Sequence, residues 1–514
     1  MSDDTLTTSS ESEAERISDF ERRLAEVNRR DHDGKLAWTF RCEPTHRAAE
    51  AAALTSECAD GESLDLEVVV AARLRGIRTF GKLMFFVLND VSGSIQALIA
   101  RDAVGDEAFA AFKRLDLGDW VAVRGKIGRS KKGEPTIFAE SGELIGKALR
   151  QAPESWRGIS DPDVRYRRRY LDLIANDDSR AVFVARSAII STMRRVLEDQ
   201  RFIEVETPIL NGVATGAAAR PFETFHNALS MELVLRIAPE LYLKRLIVGG
   251  LDRVFEIGRV FRNEGLSTRH NPEFTMMECY QAYADYGDMM TLCETLFVAC
   301  ANAANGHSMV TIESVEVDLA QPWRRATMLD LVTEAVGVEV HPSMELAEAR
   351  AVCDRHEVSY EPTWTSGKIL TVLFEELVES QLIAPTFVCD HPLITSPLAR
   401  THREDPAFTE RFELFVGGRE LANAYSELID PVEQRRRFEQ QAGLRADGDD
   451  EAFELDEDYL LAMEYGMPPI GGMGIGIDRL VMLLTGTQSI REVLLFPTLR
   501  PEAGRPAPPE EVER

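Results

Sequence analysis

Residues Arg253–Tyr286 read RVFEIGRVFRNEGLSTRHNPEFTMMECYQAYADY, and the reading of the whole chain turns on them. Apolar and charged residues alternate from Arg253 to Arg262, Gly265 to Asn271 turns the chain, and Glu273–Tyr283 runs out again. The pattern predicts a strand, a loop and a return strand. Side chains two apart share one face of a strand, so Phe274, Met276, Glu278 and Tyr280 point the same way. Arg262 and Glu264 share a face of the partner, and Arg269, His270 and Asn271 stand at the loop. Cations, acceptors and an aromatic ring thus converge on one surface, which suits a nucleoside triphosphate. A salt-bridged surface hairpin is the simpler alternative for a lone FRNEG, but here the pattern is long and continuous.

With 514 residues the chain is too long for one core, and two or three domains are expected. A hydrophobic content of 44% and a charged content of 28% fit a globular protein in water. No apolar run nears the roughly 20 residues that span a bilayer, and Met1–Glu15 is too acidic for a signal peptide. No membrane association and a cytoplasmic location are expected. Seven scattered cysteines with no CxxC spacing argue against a disulfide framework or a structural zinc site. The net charge of −28 opposes a nucleic-acid partner on the scale of the whole chain. The segment Leu64–Arg150 differs, with 14 Lys+Arg against 11 Asp+Glu, and on charge alone either draws a polyanion to itself or is a mildly basic domain with no ligand.

The order along the chain supports separate parts. Residues 1–63 form an N-terminal extension: a polar, disordered start, then a helix from a capping box at Ser10-x-x-Glu13 to about Arg30. Residues 64–150 read strand–strand–strand–helix–strand–strand, the order of a five-stranded OB-type β-barrel. Arg78, Phe85, Gln96 and, in a late turn, Glu134 are its candidates for holding single-stranded bases. Phe85 in MFFV has a competing reading as core. Residues 151–180 are a linker whose cluster RYRRRY either touches RNA phosphates or forms a charged helix. The rest, 181–502, predicts an α+β domain with a small helical insertion at about 325–393, and 503–514 is a mobile tail. Within it, Ala181–Gln200 is an amphipathic helix and RFIEVETPIL (201–210) a strand. Pro239 with Glu240 opens a further helix. In RFELFVGGRELANAYSELID (411–430), Asn423, Tyr425 and Glu427 share a face, while Glu420 has the opposite parity. A bulge near Gly417–Gly418 is therefore expected. The acidic stretch Asp447–Asp458 reads as a solvated loop. GGMGIGIDRLVMLLTGTQSIREVLLFP (471–497) is a glycine-rich strand running into a helix that carries Arg479.

FRNEGLSTRHNPEFTMMECYQAY resembles motif 2 of the class II aminoacyl-tRNA synthetases, in the form found in bacterial-type lysyl-tRNA synthetases. The likeness runs from about Leu64 to Pro501. RFIEVETPIL with the preceding helix resembles motif 1, which builds the subunit interface in that family, and GGMGIG…Arg479 resembles motif 3. The resemblance implies an antiparallel catalytic sheet flanked by helices, a homodimer, a tRNA(Lys) partner read at the anticodon by Arg78, Phe85, Gln96 and Glu134, and the substrates ATP and L-lysine. Two departures stand out: Ala422 and Ala424, flanking Asn423, replace glycines usual in the family, and Val234 or Leu235 stands where the family has an aromatic residue.

Activating a carboxylic acid with ATP needs in-line attack on the α-phosphorus with pyrophosphate leaving, so the protein's task is positioning and cationic screening. Arg262 is expected to grip the α-phosphate and the substrate carboxylate through forked hydrogen bonds. Arg269 and His270 would hold the outer phosphates and Arg479 the γ-phosphate end. Phe274 would stack on adenine and Glu264 accept from its amino group. Glu413 and Glu420 are the candidate Mg2+ ligands. Glu240, beside the Gly216 loop, would pair with the α-ammonium of lysine. Glu278, Glu427 and Tyr280 would surround the ε-ammonium, and Asn423 and Tyr425 would shape the slot. Attachment of lysine to a protein acceptor, an aspartyl- or asparaginyl-type enzyme and a non-catalytic RNA-binding relative are the rival readings. The barrel opposes the first, the glutamates oppose the second, and the full set of Arg262, Arg479, Glu413 and Glu420 opposes the third.

Overall fold

The computed structural model describes residues 7–151, 159–214, 216–217, 219–312, 314–446 and 455–501. The polar start before residue 7, most of the acidic stretch at 447–458 and the tail 503–514 lie outside them. The chain divides into two compact units, residues 1–176 and 177–514.

In the first unit, the strands β1 (Ser63–Phe80), β2 (Leu83–Asn89), β3 (Ser94–Ala100), β4 (Trp120–Arg129) and β5 (Pro135–Gly146) close a barrel in the order β1-β2-β3-β5-β4. Met84, Phe86 and Leu88 of β2 point inward and are fully buried, so Phe85 points outward. Parity along one strand decides between the two adjacent phenylalanines. The helix Asp106–Phe112 between β3 and β4 packs Phe109 and Phe112 into the barrel core. The N-terminal helix spans Thr7–His32, so Ser10 stands inside it and not at its cap. In the arginine cluster, Arg165 and Arg169 both bond the fully buried Asp172, at 2.9 and 2.6 Å.

The second unit is built on an eight-stranded sheet. Its strands in chain order are β6 (Ile203–Glu204), β10 (Arg253–Phe261), β11 (Glu273–Ala282), β14 (Arg324–Thr327), β15 (Thr386–Pro392), β16 (Phe408–Phe415), β17 (Glu420–Ser426) and β18 (Ile470–Gly476). They lie side by side as β14-β15-β16-β17-β18-β11-β10-β6, antiparallel except at the two outer pairs. β7 (Leu210–Asn211), β8 (Glu223–His226) and β9 (Met231–Leu235) form a small separate sheet, and β12 (Met309–Ile312) pairs with β13 (Val315–Asp318). The single strand expected over 201–210 is instead two short pieces in different sheets. Pro208 between them has no N–H for a ladder, and Thr207 donates to Glu256 Oε2. The helices Asp177–Asp199 and Tyr286–Asn305 cover one face of the sheet with the main apolar core. The opposite face of β11, β17 and β18 carries the polar Glu278, Glu420 and Asn423 alongside Phe274, Met276 and the glycines of β18. The insertion holds helices Met328–Val336, Leu346–Arg355 and Ser366–Leu377 around its own apolar cluster.

The hairpin between β16 and β17 turns on Gly417 and Gly418, with φ of 64° and 63°. Its irregularity lies beyond the turn: Leu414 pairs with Ala422 but Phe415 pairs with Glu420, leaving Leu421 as an extra residue on β17. A bulge shifts side-chain parity by one, which brings Glu420 onto the face of Asn423 and Tyr425.

Candidate active site

On that polar face lies a cavity of about 480 Å³ whose walls include Arg262, Phe274, Glu240, Glu278, Glu420 and Arg479. A second cavity of about 420 Å³ shares Arg269, His270, Glu413, Glu420 and Arg479 and reaches Lys368, Glu375 and Glu379 of the insertion. The insertion, from which the sequence offered no chemistry, therefore contributes charged walls.

At one end the cations gather. Arg262 follows the last residue of β10, and its guanidinium lies 5.2 Å from the Phe274 ring. Its Nε is buried with no hydrogen-bond partner among the described residues. Burial pulls its pKa down, against the charges of Glu264, Glu420 and Glu278. A buried donor without an acceptor in a cavity wall is a place for an anion. Arg479, in the first turn of the helix Ile477–Thr485, donates to the backbone carbonyl of Glu420 at 2.9 Å and to its carboxylate at 3.2 Å. Arg479 Nη2 lies 3.3 Å from His270 Nε2. Burial, and then the charge of Arg479, lower the His270 pKa, so the ring accepts from the arginine as a neutral imidazole. Glu264 and Arg269 line the same wall. Asn271 does too, but both ends of its amide are used within the protein, by Glu273 O at 2.6 Å and Thr498 N at 3.1 Å.

Beside the cations stand Glu413 and Glu420. Burial, and then the charge of Glu413, raise the Glu420 pKa. Both carboxylates line the two cavities, and their hard oxygens are of the kind that could hold Mg2+. Arg411, which the sequence reading passed over, organises this corner. It donates to Asn423 Oδ1 at 3.0 Å, to Glu413 Oε1 at 2.6 Å and to Ser396 Oγ at 2.9 Å. Its period-2 spacing from Glu413 on β16 was the available signal.

The other end is acidic. Glu240 is the first residue of the helix Glu240–Val248, Glu278 and Tyr280 come from β11, and Tyr425 from β17. The Tyr425 hydroxyl donates to Glu240 Oε1 at 2.6 Å, and that of Tyr280 to Glu278 Oε2 at 3.0 Å. Burial, and then the charge of Glu240, push Glu278 up to about 8, against Tyr280, Arg262 and Lys244. Gly216, at φ 92°, passes over this end: a Cβ there would meet Ala238 Cβ at 3.3 Å and Glu240 Cβ at 3.4 Å. Glu427 differs from the others, because its side chain is 0% exposed and lies behind Gly472. It makes an ion pair with Lys244, which also bonds Glu240 Oε1 at 2.5 Å. Lys244 was missed as well; its helical i, i+4 spacing from Glu240 was the clue. Ala424 is fully buried in the apolar core behind the sheet and takes no room from the cavity, whereas Ala422 reaches its edge.

In the barrel, Arg78 on β1 pairs in register with Phe85 on β2, and its guanidinium reaches Gln96 Oε1 at 3.4 Å. Gln96 in turn donates to Thr136 Oγ1 at 3.0 Å, which donates to the carbonyl of Glu134 at 2.8 Å. Arg78, Phe85 and the buried Gln96 thus lie together, Glu134 joins them through its main-chain carbonyl, and the exposed Phe80 adds a ring 6.0 Å from Phe85.

This combination defines a class of protein. Residues 161–500 match the family model described as tRNA synthetases class II (D, K and N), and residues 68–145 match that of the OB-fold nucleic acid binding domain. A lysine–tRNA ligase of Trichormus variabilis is 49% identical over 489 residues, covering 93% of this chain and 87% of its own. One from Bacillus subtilis is 49% identical over 482 residues, covering 93% and 96%, and one from Shouchella clausii 51% over 462 residues, covering 89% and 92%. The chain belongs to the class II lysine–tRNA ligase family.

Proposed function

We infer that this chain activates L-lysine with ATP to lysyl-adenylate and transfers the lysyl group to the 3′ end of tRNA(Lys). The observation that carries this is one cavity with, at one end, an arginine whose buried Nε has no hydrogen-bond partner among the described residues and, at the other, carboxylates. Arg262 draws the substrate carboxylate and the α-phosphate together through its forked donors, and its positive charge screens the two anions as the bond to phosphorus forms. Phe274 stacks on adenine and Glu264 accepts from the adenine amino group. Arg269, neutral His270 and Arg479 receive the outer phosphates and the charge that develops on pyrophosphate. Glu240 pairs with the α-ammonium, while Glu278 with Tyr280 takes the ε-ammonium. Glu427 acts through Lys244, and Asn423 and Tyr425 bound the slot. Glu413 and Glu420 would hold Mg2+, which supplies charge neutralisation at the phosphates.

The patch of Arg78, Phe85, Gln96 and Glu134 on the segment 64–150 reads the anticodon, by stacking and edge hydrogen bonds. The chain works as a homodimer. Ile203, Ile209, Leu210, Phe225, Leu229 and Met231, on and around the small sheet that follows the motif 1 helix, are exposed apolar residues for a second copy to cover. It works in the cytoplasm, where its substrates meet; no helix among the described residues is long and apolar enough to cross a membrane. Pyrophosphate exchange tested over the twenty amino acids decides the reading. Exchange dependent on lysine is expected, and exchange with another amino acid, or with none, overturns it.

A further inference from the structure

Next to the acidic end of the cavity, outside its lining, lies a buried cation. Lys244 is 0% exposed, its ammonium lies between Glu240 and Glu427, and the rings of Tyr280 and Tyr425 stand 5.8 and 5.4 Å from it. Tyr459, from the helix Glu457–Glu464, closes the cluster, and its hydroxyl has no hydrogen-bond partner among the described residues. Glu427 Oε1 likewise has none, and a Cβ on Gly472 would stand 2.0 Å from it. Burial works against the charge on Lys244, but Glu240 and Glu427 outweigh it and hold the lysine charged.

Surface salt bridges of this i, i+4 kind are ordinary, but this one is completely desolvated and feeds a ligand cavity. Glu240 Oε1 is taken by Lys244 and Tyr425, so Oε2 is the oxygen left to face a guest. With a diamino acid bound and Glu278 ionised, Glu240, Glu278 and Glu427 carry three formal negative charges and Lys244 returns one. We propose that Lys244 is a positioning and specificity-setting residue: it aims Glu240 and fixes the acidic pocket at two net negative charges, the number that the two ammonium groups of a diamino acid cancel. The proposal rests on the lysine-activating reading above. It makes the pocket's charge, and not only its shape, a filter against amino acids with one ammonium group, since these offer Glu278 no ammonium to ionise it and forgo that charge pair.

The charge count predicts that one substitution reverses its effect with background. Glu427→Gln alone leaves one net negative charge, and Lys244→Met alone leaves three with Glu240 and Glu427 repelling each other. Each is expected to raise the KM for lysine about tenfold or more, with the KM for ATP within about threefold of its starting value. The double variant restores two net charges, so adding Lys244→Met to Glu427→Gln lowers the lysine KM. Measurements are made by pyrophosphate exchange below the melting transition of every variant. If Lys244→Met alone does not fold, the comparison of Glu427→Gln with the double variant decides. A purely structural ion pair would restore melting temperature in the double variant without a lysine-specific recovery, and that result overturns the proposal. So does a parallel rise in both KM values, or no rise at all. Absence of lysine-dependent exchange in the unaltered protein would bring down the activity itself, a result distinct from these.

Discussion

Glu278 accepts the Tyr280 hydroxyl hydrogen bond at 3.0 Å on a wall of the cavity where burial and Glu240 push its pKa up to about 8. At neutral pH the empty site therefore holds a proton on Glu278. A bound ε-ammonium favours the ionised form and lowers that pKa, so binding at pH 7 expels about one proton. Because the free protein binds more protons than the complex, affinity for lysine rises as pH increases toward 8 and the gain ends above it. Calorimetric titration of lysine in buffers of different ionisation enthalpy measures the released proton. In Glu278→Gln the release is expected to vanish; its persistence would place the proton elsewhere.

Arg479 spends its donors on Glu420 and His270, which ties a motif 3 side chain to both the acidic pair and the motif 2 loop. Replacing it by alanine removes charge stabilisation aimed at the outer phosphates, expected to lower kcat for exchange by about 10²–10³-fold. The KM for lysine should change little, since the acidic end is untouched. Steady-state exchange kinetics with each substrate varied in turn separate the two. A lysine effect as large as the ATP effect would contradict the division of the cavity into two ends.

Gly472 and Gly474 make a matched pair on β18. A Cβ at Gly472 would stand 2.0 Å from Glu427 Oε1 and 2.5 Å from Tyr280 Cε1, inside the buried charge cluster. At Gly474 the nearest atom is the flexible end of Met276, at 3.3 Å. Gly472→Ala is expected to cost about 1–3 kcal/mol of stability, the range for overpacked cores, and Gly474→Ala well under that. Denaturant melts of the two variants check the ordering, and equal costs would refute it.

Phe85 points out of the barrel beside Phe80 and Arg78. Loss of a stacking ring is worth about 1–3 kcal/mol per base, so Phe85→Ala should reduce kcat/KM for tRNA about 5- to 150-fold. Pyrophosphate exchange, which needs no tRNA, should stay at its original rate. Aminoacylation measured alongside exchange tests this, and unchanged aminoacylation would remove Phe85 from the interface.

Most of the site was readable because strand alternation is a local code. Once Arg253–Tyr286 reads as two strands, the shared face of Phe274, Met276, Glu278 and Tyr280 follows from spacing alone, and the cavity contains all four. Lys244 and Arg411 escaped for the opposite reason. Their roles come from what distant residues bring to them: Glu427 from just past the end of β17 and Asn423 from across the β16–β17 ladder. A lysine four residues after a glutamate reads as a surface helix pair until burial is known. The break at Pro208 was visible in principle, because proline cannot join a ladder, but two separate sheets take up the pieces and that is a long-range fact.

The extra residue at Leu421 reaches further than its size suggests. Its presence, and nothing in the identity of Glu420, decides that this carboxylate looks into the cavity instead of toward the apolar core. Strand length therefore acts as an aiming device. Deleting one residue here would rotate an intact acidic group out of reach while leaving every chemically active side chain in the protein unchanged. In this hairpin, counting residues matters as much as naming them.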